Sequence, residues 1–399
     1  MSGHGAVRGL MFSLLLSLSV LFFWDGSVYA ENVKTEAEES TDTDGQITEI
    51  EDSMLEQVGV DDIEHFLKEQ DYKNISFLEL VTSLVKGGYG LNKDAVGEWI
   101  KNAVMVEFKE NKTLLLQIIF ISVAFGILKN FTQLFENAYV SELCFVLVYG
   151  ILTILLMKSF LVMDSLTKDT IKTVVEFMQT LIPVYCMSMV FSNGTITAAG
   201  FYELAFLVIY LVQWLILYVL VPLVQVMVIF EFMNDLLEGD KFERMTELIE
   251  DGVRLVLKVI TTAVVGLNLV QGLIQPVADK LKGNVVFKTA SAIPGVGNSI
   301  NAFGEIMIGT GTLVKNSVGV AAMLLLFVIT LTPVVKMGVM SFLYKLAAAL
   351  VEPIADKRIS GSINGVCRGS VLLAKIMLTS VLLFLITIAM ITASTSFVY

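Results

Sequence analysis

LAFLVIYLVQWLILYVLVPLVQVMVIF, residues 204–230, runs without a single charged side chain. As a helix it rises about 40 Å at 1.5 Å per residue. That exceeds the hydrocarbon layer, about 30 Å thick, which takes about 20 apolar residues to cross. A water-soluble helix of this length carries a polar face at every turn, and this stretch has none. Its natural surroundings are lipid or the interior of a membrane bundle.

Further stretches of the same character lie on both sides, at 113–128, 143–163, 256–274, 318–335, 337–351 and 376–393. Two others, 177–191 and 290–312, are too short or too glycine-rich to count as spans, and a re-entrant path is open for them. Over the chain 55% of residues are apolar and 17% charged, a surplus that a soluble core does not absorb. The expected fold is all-α, a polytopic helical membrane protein. Lysine and arginine recur in nearly every loop, from Lys129 through Lys168, Lys241 and Arg244 to Lys282 and Arg358, so the positive-inside rule orients no span.

The N-terminus reads as an export signal, residues 1–30: Arg8, an apolar core, then Ser27-Val28-Tyr29-Ala30 with small residues where a cleavage site needs them. An uncleaved anchor is the rival, and either one exports the segment beyond Ala30. Residues 31–110 read as an exported acidic arm with amphipathic helices, and residues 111–399 as the polytopic membrane domain. Fifteen Asp and Glu fall within 31–71 against Lys34 and Lys68 alone, which predicts a disordered, solvated segment at its start. STDTDGQITEIE at 40–51 has the spacing of a calcium loop, but Ser40 replaces the first carboxylate and a solvated linker is the better reading. Phe66, Leu67, Phe77, Leu80, Val81 and Leu84 then recur at helical spacing. Such helices lie on the membrane, cover the core, or dock onto an exported partner.

The six prolines suggest an internal duplication. Pro183 and Pro222 are 39 residues apart, as are Pro294 and Pro333. Each pair is followed by a third proline in matching octapeptides, LIQPVADK at 273–280 around Pro276 and LVEPIADK at 350–357 around Pro353. The repeat units expected are 175–285 and 286–360; the interval from the second to the third proline is 34 residues longer in the first, much of the excess being the charged stretch 231–252. A proline inside a span frees a backbone carbonyl, acceptable only in protein or beside water. Paired broken helices therefore point to a pathway at the repeat interface. Asp279 with Lys280 and Asp356 with Lys357 read as helix-end charge pairs.

The stretch 292–322 mixes Gly295, Gly297, Gly304, Gly309, Gly311 and Gly319 with serine, threonine and asparagine. Small residues favour close helix packing, and lining a polar conduit is the alternative. Glu305 and Lys315 are ionisable groups in or near the membrane, costly unless paired or wet.

Enzymatic chemistry finds no foothold. The two histidines, His4 and His65, precede the membrane domain, and no phosphate-binding loop occurs. Cys144, Cys186 and Cys367 are scattered through apolar segments, unlike a disulfide framework or zinc site. No catalytic residue, metal ligand or cofactor is expected. The acidic balance argues against nucleic acid.

The PVADK and PIADK segments and the run SAIPGVGNSINAFGEIMIGTGTLVKNSVGVAAM at 291–323 resemble the stage III sporulation protein AE family of endospore-forming bacteria, from about residue 80 to the C-terminus. The resemblance implies a non-enzymatic transmembrane subunit in the mother-cell membrane facing the forespore, and the export signal places its N-terminal arm on the extracytoplasmic side. The resemblance also implies partners: other stage III sporulation membrane proteins and a forespore membrane partner, together forming a channel-like complex needed for forespore development. The alternative is a secondary transporter working alone through inverted or parallel repeats.

Overall fold

The computed structural model describes residues 59–70, 72, 75–86, 93–132, 138–193, 196–237, 241–290, 297–354 and 357–394. The signal segment and the calcium-like stretch lie outside them. The described residues contain no strand. Two short helices, α1 (Asp61–Glu69) and α2 (Phe77–Val85), precede the long ones: α3 (Lys93–Thr132), α4 (Ala138–Asn193), α5 (Ile196–Leu215), α6 (Val221–Leu236), α7 (Glu243–Ala290), α8 (Gly297–Val351) and α9 (Lys357–Ser394). A π-helical turn, Ile216–Leu220, joins α5 to α6.

Six segments are long and apolar enough to cross a membrane: Ile100–Ile127, Phe145–Met189, Phe206–Leu236, Glu243–Val270, Gly309–Val351 and Lys357–Thr392. This is a multi-pass helical membrane fold. The span count differs from the hydropathy reading in one place. The apolar stretches 318–335 and 337–351 belong to one helix, α8, with Pro333 inside it. A proline removes one backbone hydrogen bond but does not reverse a chain. The break in hydropathy at Lys336 is a charge carried within the helix, where its Nζ lies 3.4 Å from Glu107 Oε1 on α3. Likewise 143–163 and 177–191 are parts of α4, and residues 297–312 open α8 as regular helix, with no re-entrant turn among them.

The helix order does not repeat across the two expected units. Residues 175–285 hold the end of α4, then α5, α6 and most of α7, whereas the described residues of 286–360 hold the last turn of α7, the single long helix α8 and the first turn of α9. The matching octapeptides also differ locally: 273–280 lies inside α7, but its counterpart ends α8 and enters the turn around Pro353.

Packing divides along the bundle's length. α8 and α9 are central, burying 56% and 61% of their apolar windows against 28% to 33% in the other spans. One core gathers Val174, Phe177 and Leu181 of α4, Val314 to Ile329 of α8 and Val381 to Ile391 of α9. The other gathers Phe145 to Phe160 of α4, Val221 to Phe232 of α6, Met337 to Val351 of α8 and Ile359 to Met377 of α9.

The amphipathic helices cover the first core. Ile63, Leu67, Phe77 and Val81 are completely buried there, and Phe66 lies against Phe177 with ring centroids 5.7 Å apart. Local sequence sets this hairpin-like pair. Ser76 caps α2 by accepting from the Glu79 amide at 3.2 Å, and its hydroxyl donates to Glu64 Oε1 at 2.8 Å. Tyr72, between the helices, donates to the Ile329 carbonyl of α8 at 3.3 Å. Burial raises its phenol pKa above the ordinary value.

Candidate functional site

α9 approaches α6 through Gly361, Gly365 and Gly369, four residues apart and therefore on one face. A side chain at any of them has no room. A Cβ on Gly361 would collide with the Asp235 carboxylate, one on Gly365 would sit 2.7 Å from Glu231 Cβ, and one on Gly369 would collide with Val228. Small residues at this spacing let helix backbones meet closely in a membrane.

The close approach assembles a charged layer. Arg368, one residue before Gly369, reaches Glu231 Oε1 of α6 at 3.0 Å and Glu250 Oε2 of α7 at 2.9 Å. Its Nε also donates to Glu250 Oε2 at 3.1 Å. The contact with Glu231 is an ion pair without hydrogen-bond alignment. Arg254 of α7 pairs with the other oxygen of Glu250. The two carboxylates are 11% and 13% exposed, the Arg368 side chain 39%. One guanidinium thus ties three helices, a role suited to its planar fork.

Nearer the α6–α7 turn the layer continues through hydroxyl groups. Ser362 donates to Asp235 Oδ2 at 2.8 Å and lies 2.9 Å from the Tyr149 hydroxyl, which donates to the Phe232 carbonyl at 2.8 Å. Arg358 sits over the Phe145 ring, 3.5 Å from its centroid. On the α4 side, Asp164 Oδ2 accepts from Lys168 at 2.8 Å and from Gln225 of α6 at 2.7 Å.

Farther along α9 the cross-links carry no charge. Ser380 donates to Gln213 Oε1 of α5 at 2.5 Å, Asn268 of α7 donates to Thr387 at 2.8 Å, and Thr392 lies 3.2 Å from the Tyr185 hydroxyl of α4. All are buried. Polar side chains therefore bond α9 to α4, α5, α6 and α7.

The residues singled out from the sequence are dispersed. Pro183 lies within α4 and Pro333 within α8, Pro222 opens α6 after the π turn, and Pro353 lies in the turn after α8. Pro276, Asp279 and Lys280 are on α7, whose helix continues to Ala290, so the latter two do not mark a helix end. Lys357 is the first residue of α9 and exposed. Gly297 opens α8 and Glu305 lies farther along it, while Pro294, Gly295 and Asp356 lie outside the described residues. Lys315 is completely buried in the first core. Ten residues of continuous helix separate it from Glu305, about 15 Å of rise. In the glycine-rich segment Gly319 packs against Thr392 of α9, whereas a Cβ on Gly309 meets nothing within 4 Å.

The Arg368 layer is absent from the residues singled out by sequence. Its signal was present as G-x-x-x-G-x-x-x-G at 361–369 with an arginine inside it. The acidic members, Glu231, Asp235 and Glu250, sit in the charged stretch that the repeat alignment treats as excess.

The family model described as Stage III sporulation protein AE matches residues 75–395, from the residues just before α2 to the end of α9. The Stage III sporulation protein AE of Bacillus subtilis (strain 168) is 27% identical to this chain over 301 residues, covering 74% of this chain and 75% of that protein. No solved structure matches.

Proposed function

This chain belongs to the stage III sporulation protein AE family, and from that we propose that it is a non-enzymatic transmembrane subunit of a channel or secretion-like complex between mother cell and forespore. A sporulation role and a multi-pass membrane location follow from the family and the six apolar segments. The observation that carries the finer reading is the family match over α2 to α9, joined to a body whose polar groups serve helix-to-helix contacts. In this reading the chain is a gate, conduit or scaffold in the mother-cell membrane, with the residues that precede the segment Ile100–Ile127 on the extracytoplasmic side. Its partners are other stage III sporulation membrane proteins and a protein of the forespore membrane. Energy for any movement of cargo comes from another subunit.

The lone-transporter alternative leaned on a repeat, and the helix order differs between the two segments. The test is a tagged chain isolated from sporulating cells. Co-purification of other sporulation membrane proteins, with no saturable solute uptake by the chain alone in liposomes, is the expected result. Normal sporulation in a deletion strain would overturn the proposal.

A further inference from the structure

Pro333 falls between the two cores of the bundle. Residues 314–329 of α8 belong to the first core and residues 337–351 to the second. Having no amide hydrogen, the proline cannot supply the bond that the carbonyl four residues earlier receives in a regular α-helix. That carbonyl belongs to Ile329, and it is the one to which the Tyr72 hydroxyl donates at 3.3 Å. A side chain from outside the helix thus stands in for the missing donor.

The backbone of Tyr72 is pinned within the α1–α2 pair. Its amide donates to the Leu67 carbonyl at 2.8 Å, and its carbonyl accepts from the Ile75 amide at 3.2 Å. The phenol therefore goes where the pair goes. That pair straddles two rods, α1 against α4 and α2 against α8, with Gln70 donating to Glu176 of α4 at 3.4 Å. Each of the two helices has nine residues, fewer than the roughly 12–15 that an isolated helix needs in water. Both depend on the apolar face they bury against the first core, so docking of the pair and formation of the Tyr72 bond are one event. On the other side of the proline, Lys336 pairs with Glu107 of α3 at 3.4 Å. The joint is bracketed by two ties, and the one toward the first core comes from an element outside the six apolar segments.

We propose that the α1–α2 pair is a latch on the Pro333 joint of α8. Docked, it completes the hydrogen bonding that the proline interrupts. Lifted, it leaves the Ile329 carbonyl without that donor and α8 free to open and bend there. The coupling is reciprocal: whatever favours the open joint favours the lifted pair, and the reverse. The latch does not require the chain to be a subunit of a complex.

The test uses the full chain, purified in nanodiscs, and follows amide hydrogen exchange in the α8 segment 330–340. Tyr72→Phe keeps the ring and removes only the donor, and is expected to speed exchange there about fivefold, with residues 341–351 unchanged. Pro333→Ala restores an amide to serve the Ile329 carbonyl, and in that background Tyr72→Phe is expected to change nothing at the joint. Unaltered exchange in Tyr72→Phe, or an equal increase with and without Pro333, would overturn the inference. An increase spread along the whole of α8 would mean that Tyr72 only stabilises the bundle, and would overturn it as well. Because the isolated chain is measured, none of these outcomes bears on the reading of the chain as a complex subunit.

Discussion

The two polar layers along α9 are built on opposite principles. Near its start, Arg368, Glu231, Glu250 and Arg254 form a charged layer at the edge of the bundle, with the arginines partly open. Farther on, Gln213, Asn268, Ser380 and Thr387 form neutral pairs sealed inside it. Neutral pairs leave no net charge to solvate, so they fix helix register in a dry interior at small cost either way. A charged layer holds helices more tightly but leaves an uncompensated ion when one member is lost. In the charged layer the arginines are the members that water reaches.

Breaking the charged layer is therefore expected to have the largest effect. Arg368→Leu strands Glu231 and leaves Glu250 with Arg254 alone, and is expected to destabilise the bundle by about 3–5 kcal/mol, measured as the fraction surviving heating in detergent. Adding Glu231→Gln and Glu250→Gln to that variant should recover part of the loss. If Arg368→Leu proves no worse than Asn268→Leu, the contrast between the layers fails.

Next in size is the close approach that builds the layer. Gly365→Leu is expected to cost about 1–3 kcal/mol by overpacking, because its side chain meets Glu231. Gly309→Ala, with open space around it, serves as the control and should leave thermal survival unchanged. Within the neutral layer, Asn268→Leu is expected to cost about 1 kcal/mol, the scale of hydrogen bonds between membrane helices. Asn268→Leu/Thr387→Val should cost less than the two single changes together.

Much of this architecture was legible in the sequence, because apolar length is a nearly sufficient signal for a membrane helix. The burial of Phe66, Leu67, Phe77 and Val81 agrees with their helical spacing. What hydropathy misread were charges inside helices. Asp164 and Lys168 look like the loop that ends the stretch 143–163, yet they sit within α4, where Asp164 accepts from both Lys168 and Gln225. Lys336 looks like a boundary and pairs across to α3. A window average registers the cost of a charge but not the partner that offsets it, since the partner lies on another helix. The Arg368 layer was hidden for the same reason, as Arg368 lies more than a hundred residues beyond the carboxylates it meets.

The length of α4 and α8 has a mechanical consequence. At 56 and 55 residues, each is a rod of about 80 Å, nearly three times the hydrocarbon thickness. A tilt of about 5° at one end sweeps the other through about 7 Å, by the geometry of a rod this long. Each rod also has one built-in joint, at Pro183 and at Pro333, where a backbone hydrogen bond is missing. In helices of this length a small tilt at one end corresponds to a displacement the size of a side chain at the other, unless the proline joint takes it up.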